Sequence, residues 1–194
     1  MLENVLTLKN VKVGVKVTVK TIVSICLVAL AVGLPQLVHL FLGANGGILL
    51  LPMYLPVLIA GLVLGKWWGI GIGVLSPIVS FLLTSAFGNP MPALARLPFM
   101  MAELAMFAFI SGLFSKKIMA NKWIAFPATL LAAVAGRTLF ITLVAIFESV
   151  NPLSISLVWT QIQTGLIGLV LQLVIVPIIV IALAKILEKE TKNV

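Results

Sequence analysis

Residues 46–85 read GGILLLPMYLPVLIAGLVLGKWWGIGIGVLSPIVSFLLTS, which is two apolar runs separated by a short corner at residues 65–69. Each run approaches the roughly 20 residues that an α-helix needs to cross the hydrocarbon core of a membrane. The Lys-Trp-Trp sequence at the corner is typical of a membrane interface, where indole rings lie at headgroup depth and a lysine reaches water. The stretch therefore predicts a hairpin of two membrane-spanning helices.

Further apolar runs on both sides of this hairpin bring the number of predicted spans to six. They cover about residues 21–42, 48–64, 69–87, 97–114, 123–147 and 158–184. Since 62% of the residues are hydrophobic and only 9% are charged, the chain cannot cover a globular surface in water. We expect an all-α membrane protein with a basic segment at residues 1–20, a six-helix transmembrane domain at residues 21–184 and a polar tail at residues 185–194.

The basic N-terminal segment has two interpretations. Lysines at positions 9, 12, 16 and 20 would lie on one face of a helix, where they can bind anionic lipid headgroups. The same residues alternate valine with polar side chains, which also fits a strand. Because no partner strand is evident elsewhere, we favour the amphipathic helix. The following apolar run continues past the small-residue sequence at residues 29–31, so we expect a retained span rather than a cleaved signal peptide.

The eleven lysines predict the orientation of the chain. With six spans, all of them fall on one side of the membrane, in the two terminal segments and in the second and fourth connections. The connections on the other side, at residues 43–47, 88–96 and 148–157, contain no lysine. Positive charge accumulates on the cytoplasmic side of membrane proteins, so both termini are predicted to be cytoplasmic. The same distribution explains the net charge of +8 without a nucleic-acid partner.

The three outer connections are rich in Gly, Asn and Pro, which fix turns and present backbone groups. Loops held on a rigid scaffold often carry recognition groups. These connections are therefore either recognition loops or simply tight turns between spans.

Two charged residues lie within the predicted spans. Charged side chains are costly in hydrocarbon and usually face the bundle interior with a partner. Glu103 in span four and Arg137 in span five both lie roughly 10–15 Å below the outer boundary, so they can form an ion pair. That pair is either a structural clasp between two spans or a wall of a ligand pocket. Arg96, two turns above Glu103 on the same face, can compete for its carboxylate.

Span six carries three glutamines and a tryptophan. Gln161 and Gln172 are eleven residues apart and share one face, and Gln163 lies between them in sequence. Amides in a membrane interior bind another helix or a ligand, and both are open here. Trp159 is either an interfacial anchor or a cover for an apolar ligand. His39, near the outer end of span one, is either a hydrogen-bonded helix-end residue or a ligand contact.

The sequence lacks the common motifs of catalysis. No G-x-x-x-x-G-K-[ST] phosphate-binding motif occurs, so the chain cannot hydrolyse ATP by itself. It has no H-E-x-x-H or G-x-S-x-G motif and no aspartate. One cysteine in an apolar run, one histidine and five acidic residues do not suggest a metal or redox centre. We therefore expect no enzymatic activity, no metal and no cofactor.

The positions of glycine and proline within the central spans resemble those in a known family. The sequence LPMYLPVLIAGLVLGKWWGIGIGVLSPIVSFLLTS, followed by MPALARLPFMMAELAMFAFISGLF and by AAVAGR at residues 132–137, is similar to the substrate-binding S component of an energy-coupling factor (ECF) vitamin transporter. The resemblance implies a six-helix bundle in a prokaryotic plasma membrane that binds a vitamin or related micronutrient between its outer loops. It also implies two kinds of partner, a membrane coupling protein and two ATPase subunits that drive release inward.

The resemblance also suggests which residues bind. The outer pocket would offer a polar mixture suited to a heteroaromatic molecule, with substrate-binding candidates His39, Asn45, Tyr54, Asn89, Arg96, Glu103, Arg137, Trp159 and Gln163. Members of the family use A-x-x-x-A in span one to contact the coupling protein. The nearest match here is Ala29/Gly33, and Ser24 completes a partial stripe of small residues.

Other classes of protein fit the same topology. One is a structural six-span membrane protein, such as a rod-shape scaffold resembling MreD, and another is a small membrane enzyme. A buried polar pocket that opens outward would favour the transporter subunit, whereas a purely apolar interior would favour the scaffold.

Overall fold

Six α-helices form most of the part of the chain that the computed structural model describes, residues 1–2, 6, 13–149 and 153–192. Six segments there are long and apolar enough to cross a membrane, which confirms the all-helical class and the number of spans. Short 3₁₀ turns at Leu94–Arg96 and Lys122–Ile124 lead into the fourth and fifth helices. The helices are α1 at Val13–Leu50, α2 at Tyr54–Leu64, α3 at Lys66–Ala86, α4 at Leu97–Leu113, α5 at Ala125–Phe147 and α6 at Ile155–Lys192.

Helix α2 lies at the centre of the bundle. It contacts each of the other five helices, and ten of its eleven residues are buried. A helix that is apolar on all sides is buried, and α2 (YLPVLIAGLVL) has no charged residue on any face. The surrounding helices expose large apolar side chains such as Phe41, Leu82 and Ile178. In a membrane these side chains face lipid.

Glycines allow the central helices to approach closely. A Cβ at Gly61 of α2 would lie 2.6 Å from the carbonyl oxygen of Ala108, and one at Gly73 of α3 would lie 2.7 Å from that of Leu104. Both neighbours are backbone atoms of α4, which cannot move aside as a side chain can. The hydrophobic effect does not drive helices together in lipid, so association depends on van der Waals packing. Small residues at such crossings allow the close backbone contact that this packing needs.

The helical backbone is interrupted at two points before α2, once within α1 and once after its end. Gly43 has a φ of 68° inside α1, and Leu51 has a φ of 50° immediately after it. The left-handed conformation is uncommon for leucine and has to be supported by its surroundings. Nε2 of Gln172 in α6 donates to the carbonyl oxygens of Leu50 and Leu51, at 3.3 and 2.8 Å. Gln172 thus binds another helix and fixes the point at which α2 begins.

Several predicted boundaries differ from the structure. The predicted loop at residues 43–47 is shorter in the structure, because a kink at Gly43 separates two helical segments and the second span already begins at Asn45 and extends to Leu64. Helix α6 runs on to Lys192, so residues 185–192 continue the last span as a helix, as the strong helix formers Lys and Glu favour. Helix α1 already includes Val13, which confirms the helical interpretation from there onward. The lysines at positions 9 and 12 lie outside the described residues.

The two ends of the bundle differ in charge. At one end, a Cβ on Gly112 near the end of α4 would meet the backbone of Lys66 at the start of α3. At the same end, Nζ of Lys122 lies 2.5 Å from Oε2 of Glu188 in α6. The first turns of α1, which carry two further lysines, belong to this end because the spans alternate in direction. By the same alternation, all described lysines lie at this end, which we call the lysine-rich end, and none lies at the opposite, lysine-free end.

Candidate ligand-binding site

A cavity of about 380 Å³ lies at the lysine-free end of the bundle. Small-molecule pockets typically measure roughly 300–1,000 Å³ and combine apolar walls with a few converging polar groups. Here the apolar wall includes the methionines at positions 53, 91 and 100. The polar lining consists of Gln36, His39, Tyr54, Ser80, Asn89, Arg96, Arg137 and Gln161. Size and lining therefore both suit a small ligand.

Three side chains from three helices form a buried triad, Tyr54–Glu103–Arg137. Nη1 of Arg137 in α5 lies 2.8 Å from Oε1 of Glu103 in α4, and the hydroxyl of Tyr54 in α2 donates to Oε2 of Glu103 at 2.6 Å. The guanidinium of Arg137 also stacks over the Tyr54 ring, 5.0 Å from its centroid. The Glu103 side chain is 1% exposed and that of Arg137 is 12% exposed. The predicted ion pair is confirmed, and the hydrogen bond from Tyr54 extends it to a triad.

Close helix packing brings the triad together. The ring of Phe107, one turn after Glu103, meets the Tyr54 ring edge-on with centroids 5.1 Å apart. A Cβ on Gly136 would overlap this Phe107 ring, so α5 reaches α4 only because residue 136 is glycine. Since Gly136 directly precedes Arg137, the close approach also carries the guanidinium to the carboxylate. Tyr54 is in place because α2 begins at this residue, after the break that Gln172 supports.

Several polar groups around the cavity have no protein partner among the described residues. Nε and Nη2 of Arg137 and Oε1 of Gln161 are buried without a hydrogen bond. A buried polar group left unsatisfied costs roughly 1–3 kcal/mol, and more when it is charged. Arg96 is half-buried, with its guanidinium carbon 5.9 Å from the centre of the Phe140 ring, and it forms no salt bridge with a described residue. These groups are available to a ligand.

The connection between α3 and α4 forms the rim of the cavity. The backbone N–H of Met91 donates to Oγ1 of Thr84 at 2.7 Å, and Oγ of Ser80 donates to the Met91 carbonyl oxygen at 2.8 Å. Both partners belong to α3, so the connection is held on a helix. Asn89 and Arg96, at its two ends, both line the cavity. This connection is therefore positioned to contact a ligand.

The structure places the predicted substrate-binding residues in two groups. His39, Tyr54, Asn89, Arg96 and Arg137 line the cavity, and Glu103 lies beneath it in the triad. The ligand-binding roles of these six residues stay predictions.

The remaining three residues, Asn45, Trp159 and Gln163, are exposed and do not line this cavity, and their ligand-binding roles also stay predictions. Trp159 and Gln163 are each two residues from Gln161, about 200° around the helix, so they point outward when Gln161 points inward. Asn45 follows the kink at Gly43 on the outside of the bundle.

Gln161, Gln36 and Ser80 line the cavity without having been predicted as site residues. The signal for Gln161 is that it shares a helix face with Gln172 and that an amide within a span faces another helix or a ligand. The positions of Gln36 and Ser80 follow no pattern in their spans. Only the packing of α1 and α3 around α2 reveals them.

The predicted docking residues occupy two faces of α1. Ala29 is exposed, and a Cβ on Gly33 would have nothing within 4 Å, so both lie on the outer surface. Ser24 instead faces α3, where it lines an apolar groove beside Trp68, and its hydroxyl donates to the carbonyl oxygen of Lys20 at 2.7 Å. Since five residues turn a helix by about 140°, Ser24 and Ala29 do not form one stripe. Docking through Ala29 and Gly33 stays a prediction.

Comparisons with protein-family models, with characterised proteins and with solved structures find no match to this chain. The fold and the site therefore define the class of protein by themselves. It is a six-span helical membrane protein with a polar cavity at one end. The cavity collects hydrogen-bond donors, acceptors and apolar surface, which is a set suited to binding.

Proposed function

We propose that this chain is the substrate-capture subunit of an ECF-type importer and that it binds a vitamin-like micronutrient in the cavity at its lysine-free end. The cavity is the observation that carries the proposal. It has the volume of a small-molecule pocket, and its polar groups converge from five different helices and one connection. The resemblance of the central spans to the S components of these transporters supports the same function.

In this proposal the cavity faces the outside of a prokaryotic plasma membrane, and both termini are cytoplasmic. The orientation rests on the lysines, which favour the cytoplasmic side and lie at the end opposite the cavity. Uptake then requires separate partners, because the chain has no phosphate-binding motif with which to use ATP. A membrane coupling protein and two ATPase subunits would supply that energy.

The buried polar groups favour capture over a purely structural role. A scaffold needs only apolar packing between spans, and replacing a buried ion pair by apolar residues is often neutral or stabilising. This chain instead keeps a charged triad beside a cavity and leaves two nitrogens of Arg137 and one oxygen of Gln161 unpartnered among the described residues. Such an arrangement is costly for a scaffold and useful for a binding site.

The proposal is tested by small-molecule capture. Detergent-solubilised protein is mixed with the dialysable fraction of yeast extract, separated from free solutes, and analysed for retained compounds by mass spectrometry. Two neighbouring residues provide a matched pair of variants. Ala93 is exposed and lines the cavity, whereas Leu94 is 66% exposed and does not line it. A tryptophan at either position causes little strain, but only the one at position 93 obstructs the cavity.

We expect the wild type and Leu94→Trp to retain the same compound and Ala93→Trp to lose most of it. Retention by all three proteins would show binding outside this cavity. Failure of the wild type to retain any compound, with the fold intact by circular dichroism, would contradict the proposed function.

A further inference from the structure

The two arginines of the chain both lie at the cavity. The sequence contains thirteen basic residues, of which eleven are lysines. None of the described lysines lines the cavity, whereas Arg96 and Arg137 both do. Lysine is a flexible point charge, but the planar guanidinium of arginine binds a carboxylate with two parallel hydrogen bonds. The placement of the arginines therefore indicates recognition of a planar anion.

The charges around the cavity do not balance. Arg96 and Arg137 are cationic, and Glu103 is the one described carboxylate in contact with either of them. The other described acidic side chains are engaged elsewhere. Glu148 accepts a hydrogen bond from the backbone of Ile155, and Glu188 pairs with Lys122 at the opposite end of the bundle. Among the described residues, one positive charge at the cavity is thus left without a counter-charge.

We propose that the ligand of this cavity carries one carboxylate-type anionic group, which Arg96 and the free nitrogens of Arg137 bind, on a largely apolar ring system. The inference rests on the proposed function and names the substrate class of the same site. A single negative charge matches the single unbalanced positive charge, which a phosphate with two charges would exceed. The three methionines of the wall suit an aromatic or heteroaromatic ring, because thioether sulfur contacts ring edges favourably.

The test compares two forms of the compound that the wild type retains from the dialysable fraction of yeast extract. One form is the free acid and the other is its neutral carboxamide, which keeps the shape and removes the charge. Loss of charge-assisted hydrogen bonds weakens binding by about 10- to 100-fold, so we expect that preference for the acid in the wild type. Each dissociation constant is measured by isothermal titration calorimetry in detergent.

Variants then assign the preference to the arginines. Arg96→Gln should reduce the preference for the acid about tenfold, because it removes one of the two cations. Arg96 is outside the triad, so this substitution leaves the buried ion pair intact. Lys117→Gln, which removes an exposed positive charge at the lysine-rich end, is the matched control and should leave the preference unchanged. The double variant Glu103→Gln/Arg137→Gln tests the second arginine without leaving a lone buried charge.

The possible results separate this inference from the proposed function. A retained compound that is neutral, or that binds equally well as acid and as amide, overturns the inference but leaves capture intact. A preference that survives both Arg96→Gln and the double variant overturns the assignment to these residues. If the wild type retains no compound, the proposed function itself fails.

Discussion

Glu103 and Arg137 form an ion pair whose disruption is the sharpest test of the buried triad. Glu103→Gln and Arg137→Gln each preserve the shape of the side chain and leave the other residue as a buried, uncompensated charge. Two unit charges about 4 Å apart interact by about 4 kcal/mol at an effective dielectric constant of about 20. Breaking buried pairs in soluble proteins costs a similar amount, about 3–5 kcal/mol. We expect each single variant to lose about 3–5 kcal/mol of unfolding free energy.

The double variant should recover part of this loss, because it contains two neutral amides and no buried charge. We expect a coupling energy of about 2–3 kcal/mol, which is at the upper end of the values that double-mutant cycles give for residues in contact. The unfolding free energies are measured by equilibrium titration with a denaturing detergent in mixed micelles. Tyr54→Phe is a useful third variant. It removes one buried hydrogen bond to a carboxylate and should cost about 1.5–3 kcal/mol.

The pair Lys122–Glu188 provides a matched control within the same chain. Its atoms are 2.5 Å apart, but the two side chains are 25% and 32% exposed. Water screens such pairs, so the corresponding cycle should give a coupling energy of only about 0.2–1 kcal/mol. Strictly additive losses for Glu103 and Arg137 would refute the reasoning, because the two residues would then not interact. Equal coupling in both cycles would show that burial contributes nothing.

Three further results are expected. In a variant without the native cysteine, a membrane-impermeant maleimide added outside intact cells should label Asn89→Cys but not Lys117→Cys, and labelling of the second site would refute the proposed orientation. Gly73→Ala should lower the unfolding free energy by about 1–3 kcal/mol by overpacking the contact with α4, whereas Gly71→Ala, whose added Cβ has nothing within 4 Å, should not. Ala29→Trp should impair uptake by the assembled transporter while sparing capture by the isolated chain, and equal loss of both would indicate misfolding or another docking surface.

The spans and the ion pair were predictable because strong physical constraints act on single residues. An apolar run of sufficient length crosses a membrane, and a charge within it needs a partner at the same depth. Glu103 and Arg137 were the two charges that met this condition, and the structure joins them at 2.8 Å. Tyr54 was expected in the pocket but not in the triad. Its position depends on the break after Leu51, which the distant Gln172 supports, and no local pattern encodes that contact.

The differences between the predicted site residues and the residues that line the cavity follow from helix phase and from turn geometry. Gln163 and Gln161 have the same chemistry, and only the rotation of α6 about its axis decides which of them faces inward. That rotation is set by packing against the break between α1 and α2, where a Cβ on Gly168 would lie 2.5 Å from the carbonyl oxygen of Leu49. The sequence predicts a loop around Asn45, but a single glycine with a φ of 68°, Gly43, makes the break between the two helical segments. Composition favours a turn there but does not set its length.

Stoichiometry of binding in vesicles tests the proposed capture function most directly. Right-side-out vesicles that contain this chain and no coupling or ATPase subunits are incubated with the radiolabelled compound that the purified protein retains. We expect the amount of bound compound to saturate at a value equal to the amount of protein. This amount should not change when ATP is present inside the vesicles, and binding should be lost in Ala93→Trp. Accumulation far beyond the amount of protein would contradict the proposal, because the chain would then transport by itself.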